Sequence, residues 1–273
     1  MSLFQKLKSW VTFTALAFAF TFPKASYVQK VIHYLQIVFF RKRSDWILED
    51  SRGYWIAENF KYDAKKEAIA DRIIEADVIL FWIPGGGFRF DPSRLYVPTF
   101  ATWMRALETE KGLKSMVFIP NYRREQLFPA AIKDIADAYD WLINTLQVDP
   151  SKVIIGADDA GEKENEDEYD YTVPELEYED NLSPFGYLNS SIPMGSFLPN
   201  RMLIYLGGNE VLLDEGGAFA SKAREGGIQV IVTQEPTGIH LWSMLPDVLS
   251  SESHIKQNVT DRFVEFVAGV LRK

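Results

Sequence analysis

At 273 residues, 47% hydrophobic and 25% charged, the chain has an ordinary globular composition and the length of one sizeable α/β domain. Its net charge of −9 comes from one stretch, Glu162 to Asp180, where ten carboxylates accompany one lysine; the remainder is neutral in sum and nothing in it suggests a nucleic-acid footprint. The absence of cysteine excludes a disulfide framework, a thiolate zinc site and a cysteine nucleophile.

Lys6 and Lys8 precede a 13-residue apolar run, Trp10 to Phe22, closed by Pro23-Lys24-Ala25-Ser26. The run is short for a membrane span and near the length of a signal-peptide core. Tyr27 to Phe40 carries Gln29, Lys30, His33 and Gln36 and ends in Arg41-Lys42-Arg43, the pattern of an amphipathic or interfacial helix. Residues 1–43 are expected to form hydrophobic anchor or cap helices, and residues 44–273 the globular domain.

From there strands and helices alternate. Tyr54–Ala57 is a short strand, Ala64–Ala76 a helix, and Asp77–Ile83 a continuous apolar run closed by Pro84 and three glycines. Such a run fits a strand buried on both faces of a parallel sheet. Thr99–Lys111 is a helix stopped by Gly112, and Ser115–Ile119 the next buried strand. Pro129 stands at a helix start, followed by a stripe of Ala130, Ile132, Ile135, Ala136, Tyr139, Leu142 and Ile143 running to Leu146. Strands over Val153–Ile155, Met202–Leu206 and Gln229–Thr233, with helices over Ala218–Arg224 and Val259–Leu271, complete the pattern. The alternation predicts a mostly parallel, doubly wound sheet.

The strand Val153–Ile155 runs through Gly156 into Ala157-Asp158-Asp159-Ala160-Gly161, the place and shape of a nucleophile elbow, with Asp159 where the G-x-S-x-G form carries serine. The segment that follows, Glu162 to Pro199, holds no convincing apolar strand and no amphipathic helix. Its unpaired charges are too costly to desolvate against a sheet, so residues 162–181 are predicted to be a flexible acidic insert. The domain accordingly lacks part of the usual core after the elbow.

Three further pieces stand in order around this turn: Pro84-Gly85-Gly86-Gly87-Phe88-Arg89 after a buried strand, Gly207-Gly208-Asn209-Glu210-Val211-Leu212-Leu213-Asp214 at another strand end, and Pro236-Thr237-Gly238-Ile239-His240 after the last strand. Glycines after a strand let backbone N–H groups point at a developing oxyanion. Asp159, Glu210 and His240 follow the chain order nucleophile, acid, histidine. Together with Asn121-Tyr122-Arg123 and Phe128-Pro129-Ala130-Ala131, these pieces resemble the hormone-sensitive-lipase-like branch of the α/β-hydrolase fold, and within it the fungal steryl acetyl hydrolase type.

The resemblance covers roughly residues 54 to 273 apart from the acidic gap. It implies hydrolysis of carboxylic esters of lipophilic or sterol-like molecules, without cofactor or metal. Gly86, Gly87 and Ala160 would form the oxyanion hole, His240 would be the general base, and Glu210 would orient it, with Asp214 as runner-up acid. It also implies membrane association through the N-terminus, with the endoplasmic reticulum expected and a secreted or cytoplasmic location as alternatives. Two departures stand against the pattern: Asp159 at the nucleophile position and the short, acidic path from there to Glu210. They predict a catalytically impaired member, a pseudoenzyme. The alternatives are an Asp-nucleophile hydrolase of the epoxide type, a non-catalytic lipid-binding membrane-associated protein, and a coding segment dropped or an intron read through near Gly161.

Overall fold

The computed structural model describes residues 11, 14, 27, 30, 31, 33, 34, 45–58, 60, 66–86, 91–124, 126, 129–158, 195, 198–249 and 253–272. Strand β1 (Ile47–Asp50) forms an antiparallel hairpin with β2 (Gly53–Ile56). β2 lies antiparallel to β4 (Ser115–Pro120), which is parallel to β3 (Val78–Ile83), and β3 is parallel to β5 (Val153–Ala157). The resulting order is β1-β2-β4-β3-β5. β6 (Arg201–Gly207) and β7 (Gln229–Glu235) pair in parallel as a second sheet.

Side-chain alternation on β3 divides the interior. Val78, Leu80 and Trp82 face one core, with Ile56, Val117 and Ile119. It is closed by helices α2 (Val97–Lys111) and α6 (Ser253–Leu271), whose Trp103 and Phe263 rings stack at 4.0 Å. Ile79 and Phe81 face the opposite core with Trp55 and Phe118, covered by α1 (Lys66–Glu75) and α3 (Ala130–Asp140). Each large side chain removed from water here contributes about 1.5–3 kcal/mol, so β3 is anchored from both faces. Ile154 of β5 and Tyr205 of β6 both pack on the first core, which therefore runs beneath both sheets. Helices on both faces of a mostly parallel sheet are the predicted doubly wound architecture.

Some boundaries differ from the sequence expectation. β1 was not anticipated, because Ile47-Leu48-Glu49-Asp50 has neither a run nor an alternation of apolar residues. A short helix, α5 (Pro246–Leu249), precedes α6, which begins at Ser253 rather than Val259, its first turns buried through Ile255 between polar neighbours. α4 (Leu213–Glu225) begins before Ala218, with Asp214 and Glu215 in its first turn, where the helix dipole favours negative charge. On α3 and the helical turn that continues it, Trp141–Thr145, the packed stripe is rotated: Ala138 and Leu142 are buried, whereas Ile132 and Ala136 face outward. Pro129 is the N-cap and Ala130 the first helical residue.

The described residues of the N-terminal region are helical, and Val31 packs against the first core while Tyr27 and Tyr34 are exposed. No helix among the described residues is long and apolar enough to cross a membrane. The predicted acidic insert, 162–181, lies outside the described residues.

Candidate active site

The carboxyl ends of β3 and β5 lie side by side, with Trp82 opposite Gly156 and Ile83 opposite Ala157. Gly156 is required at that point: a Cβ there would stand 2.3 Å from the Trp82 ring, which packs against the Gly156 backbone. The pairing brings the loop leaving β3, Pro84-Gly85-Gly86, beside Asp158, the first residue past β5. Gly86 has φ of 100°, a left-handed backbone that glycine adopts without strain. The loop is buried and fastened from below by Tyr122, whose hydroxyl donates to the Pro84 carbonyl at 2.5 Å. Burial pushes the Tyr122 hydroxyl up to about 12, so it keeps its proton and remains a donor well above neutral pH.

The ends of β6 and β7 form the other half. A Cβ on Gly207 would stand 2.6 Å from the Gly238 carbonyl oxygen, and one on Gly208 would stand 2.3 Å from that of Pro236. Glycine at both positions therefore lets the two loops touch. Backbone bonds then join them: Gly208 N–H to Glu235 O and Asn209 N–H to Gly238 O, each 2.8 Å. The contact sets Glu210 opposite His240. Glu210 Oε1 accepts from the Gly207 N–H, and Oε2 lies 3.4 Å from His240 Nδ1.

Only 8% of the Glu210 side chain is exposed against 41% for His240. The carboxylate is thus buried behind an imidazole that faces solvent. With its proton on Nδ1 donating to Glu210, the ring presents Nε2 as an acceptor outward, the arrangement of a general base held in one tautomer. The chain that leaves His240 is anchored by Trp242, Met244 and Leu245, all buried, and the turn into them puts Leu241 at φ of 62°.

Glu210 and His240 are therefore brought together as expected, and Gly86 lies in the loop at the end of β3. Asp214 is exposed in the first turn of α4, and the carboxylate that stands beside His240 is that of Glu210. Asp159, Gly87 and Ala160 lie outside the described residues. Among the described residues no cluster of three or more His, Asp or Glu side chains could hold a metal ion. Sequence reasoning missed Asp158, Trp82 and Tyr96: the Trp82 indole and the Tyr96 hydroxyl both donate to the Asp158 carboxylate beside the glycine loop. The available signals were the doubled aspartate of the elbow and the glycine facing Trp82.

No family model matches the chain, and no curated protein matches its sequence. Solved structures do resemble it over nearly its whole length. An esterase from the bacterial hormone-sensitive lipase family is 17% identical, with 97% of this chain and 98% of that one covered and a TM-score of 0.66. A hormone-sensitive lipase from a metagenome library is 16% identical, with the same coverages and a TM-score of 0.64. A hyperthermophilic esterase from the archaeon Pyrobaculum calidifontis is 14% identical, with 99% of each chain covered and a TM-score of 0.63. The chain has the α/β-hydrolase fold, and its likeness is to carboxylic-ester hydrolases of that fold.

Proposed function

We propose that this protein is a carboxylic-ester-hydrolase scaffold of the hormone-sensitive-lipase type, similar to the fungal steryl acetyl hydrolases, in which Asp159 replaces the serine nucleophile and ester turnover is impaired. The observation that carries the reading is the Glu210–His240 pair, retained at the ends of β6 and β7 with its carboxylate buried and its imidazole oriented.

In an intact enzyme of this design His240 Nε2 takes the proton of a serine hydroxyl as it attacks the ester carbonyl. Backbone N–H groups at Gly86, Gly87 and Ala160 hold the oxyanion. A carboxylate at position 159 supplies no such proton, and its attack on an ester would give an anhydride. What remains is binding and oxyanion stabilisation, a residual acceleration of about 10³–10⁴ over water in comparable sites. The ligand class is a lipophilic ester or sterol-like molecule. Membrane association, with the endoplasmic reticulum as the location, belongs to the same proposal and rests on the apolar sequence of residues 1–43.

The retained base also favours a second reading. With Asp159 attacking saturated carbon, as in epoxide opening, Glu210 and His240 would activate the water that cleaves the ester intermediate. A panel of epoxides separates the two: turnover with a covalent mass increase on Asp159 supports the second reading, and its absence with ester turnover in an Asp159→Ser variant supports the first. A protein that retains sterol or acyl lipid on purification, with no turnover in either form, would be a lipid-binding member.

A further inference from the structure

We propose that Asp158 is a positioning residue that holds the glycine loop in the conformation needed for an oxyanion hole. Its Oδ1 accepts from the Trp82 indole N–H at 2.7 Å. Its Oδ2 accepts from the Tyr96 hydroxyl at 2.6 Å and from the Gly85 N–H at 3.3 Å. Three donors from three segments, β3, the turn before α2 and the glycine loop, converge on one carboxylate at the end of β5. Tyr96 is fully buried and Trp82 nearly so, and Trp82 is wedged between Gly156 and the Phe100 and Trp103 rings. The donors are therefore fixed, and the carboxylate transmits their positions to Gly85.

Two chemical consequences follow. The Gly85 N–H is committed to Asp158, and the φ of 100° at Gly86 sets the direction of the backbone beyond it. Tyr122 grips the same loop through the Pro84 carbonyl, so two consecutive residues, Pro84 and Gly85, are each held by a side chain from another segment. An ionised carboxylate is the group that fits, because it is acceptor-only on both oxygens. An amide at 158 would turn its NH₂ toward either the indole N–H or the Gly85 N–H, and neither can reverse its role. Removing the indole would free the amide to point its oxygen at Gly85.

The catalytic consequence rests on the ester-hydrolase reading, so the test has two readouts. Amide hydrogen exchange at Gly85 and Gly86 is measured in the full chain for Asp158→Asn, Trp82→Phe and the double variant. Turnover of a short-chain acetate is measured for the same set in the Asp159→Ser background. Asp158→Asn should speed exchange at both glycines and lower kcat by about 10²-fold with KM little changed, the signature of a misplaced group acting only in the transition state.

The double variant should slow exchange again and recover part of kcat, a rescue that general destabilisation would not give. Should Asp158→Asn alone fail to fold, the double variant carries the test. Unchanged exchange and kcat in Asp158→Asn, or no recovery in the double variant, overturns the proposal. If Asp159→Ser is inactive at the outset, that result counts against the ester-hydrolase reading, and the exchange data alone decide the role of Asp158.

Discussion

Glu210 and His240 face each other across the ends of two adjacent parallel strands, with Oε2 3.4 Å from Nδ1 and the carboxylate the more buried partner. The distance is long for a hydrogen bond, as unliganded catalytic pairs often are, and such pairs tighten as positive charge develops on the ring. The arrangement predicts that Glu210→Gln, made in the Asp159→Ser background, lowers kcat by about 10⁴-fold, as loss of the orienting carboxylate does in comparable triads. Asp214→Asn in the same background should leave kcat unchanged. Ester assays on the two variants check the assignment, and the reverse ranking would make Asp214 the acid.

The contact between the Glu210 and His240 loops depends on Gly207 and Gly208. Gly207→Ala drives a methyl into the Gly238 carbonyl, a backbone atom that cannot move aside cheaply. A cost of about 1–3 kcal/mol is expected, read as a lower melting temperature. In the serine background kcat should fall as well, because the His240 loop is displaced from Glu210.

Tyr122→Phe should leave the Pro84 carbonyl without its donor at a cost of about 1–3 kcal/mol. The pH dependence has a definite sign. Burial raises the folded pKa to about 12, so this stability is fully present below the unfolded value of about 10 and is lost as pH rises through the folded one. The gap in stability between the parent and Tyr122→Phe should therefore narrow between roughly pH 10 and 12. Urea midpoints across that window measure it.

Arg123 and Asp134 make a two-point pair, Nε to Oδ2 at 2.8 Å and Nη2 to Oδ1 at 2.9 Å, which ties the loop after β4 to α3. The hydrogen bonds from Arg123 hold the Asp134 carboxyl below its ordinary value. Its contribution is present above the unfolded carboxylate value of about 3.9 and is lost as pH falls through the depressed folded value. Asp134→Asn should lower the urea midpoint modestly at pH 7. At acid pH, where both forms lack the charge, the two midpoints should converge.

Much of this fold could be read from residues alone, for definable reasons. β3 and β4 are unbroken apolar runs because both of their faces are buried. The glycine loop, Glu210 and His240 were legible because each sits at the punctuation where an apolar strand ends. β1 was not, because a hairpin edge strand with one exposed carboxylate carries no periodic signal. The outward turn of Ile132 was hidden too, since helical spacing defines a stripe but not which edge of it packs. Asp158 went unread because its role depends on Trp82 and Tyr96, 76 and 62 residues earlier in the chain, and only folding joins them.

In our proposal the scaffold for ester hydrolysis is retained and the nucleophile is lost. The direct measurement is hydrolysis of short-chain and steryl acetates by the parent, Asp159→Ser and Asp159→Ala, with near-ultraviolet circular dichroism to verify that all three fold. Turnover should appear in Asp159→Ser and in neither of the others. Turnover in the parent that survives Asp159→Ala would overturn this proposal, as would a folded Asp159→Ser protein with none.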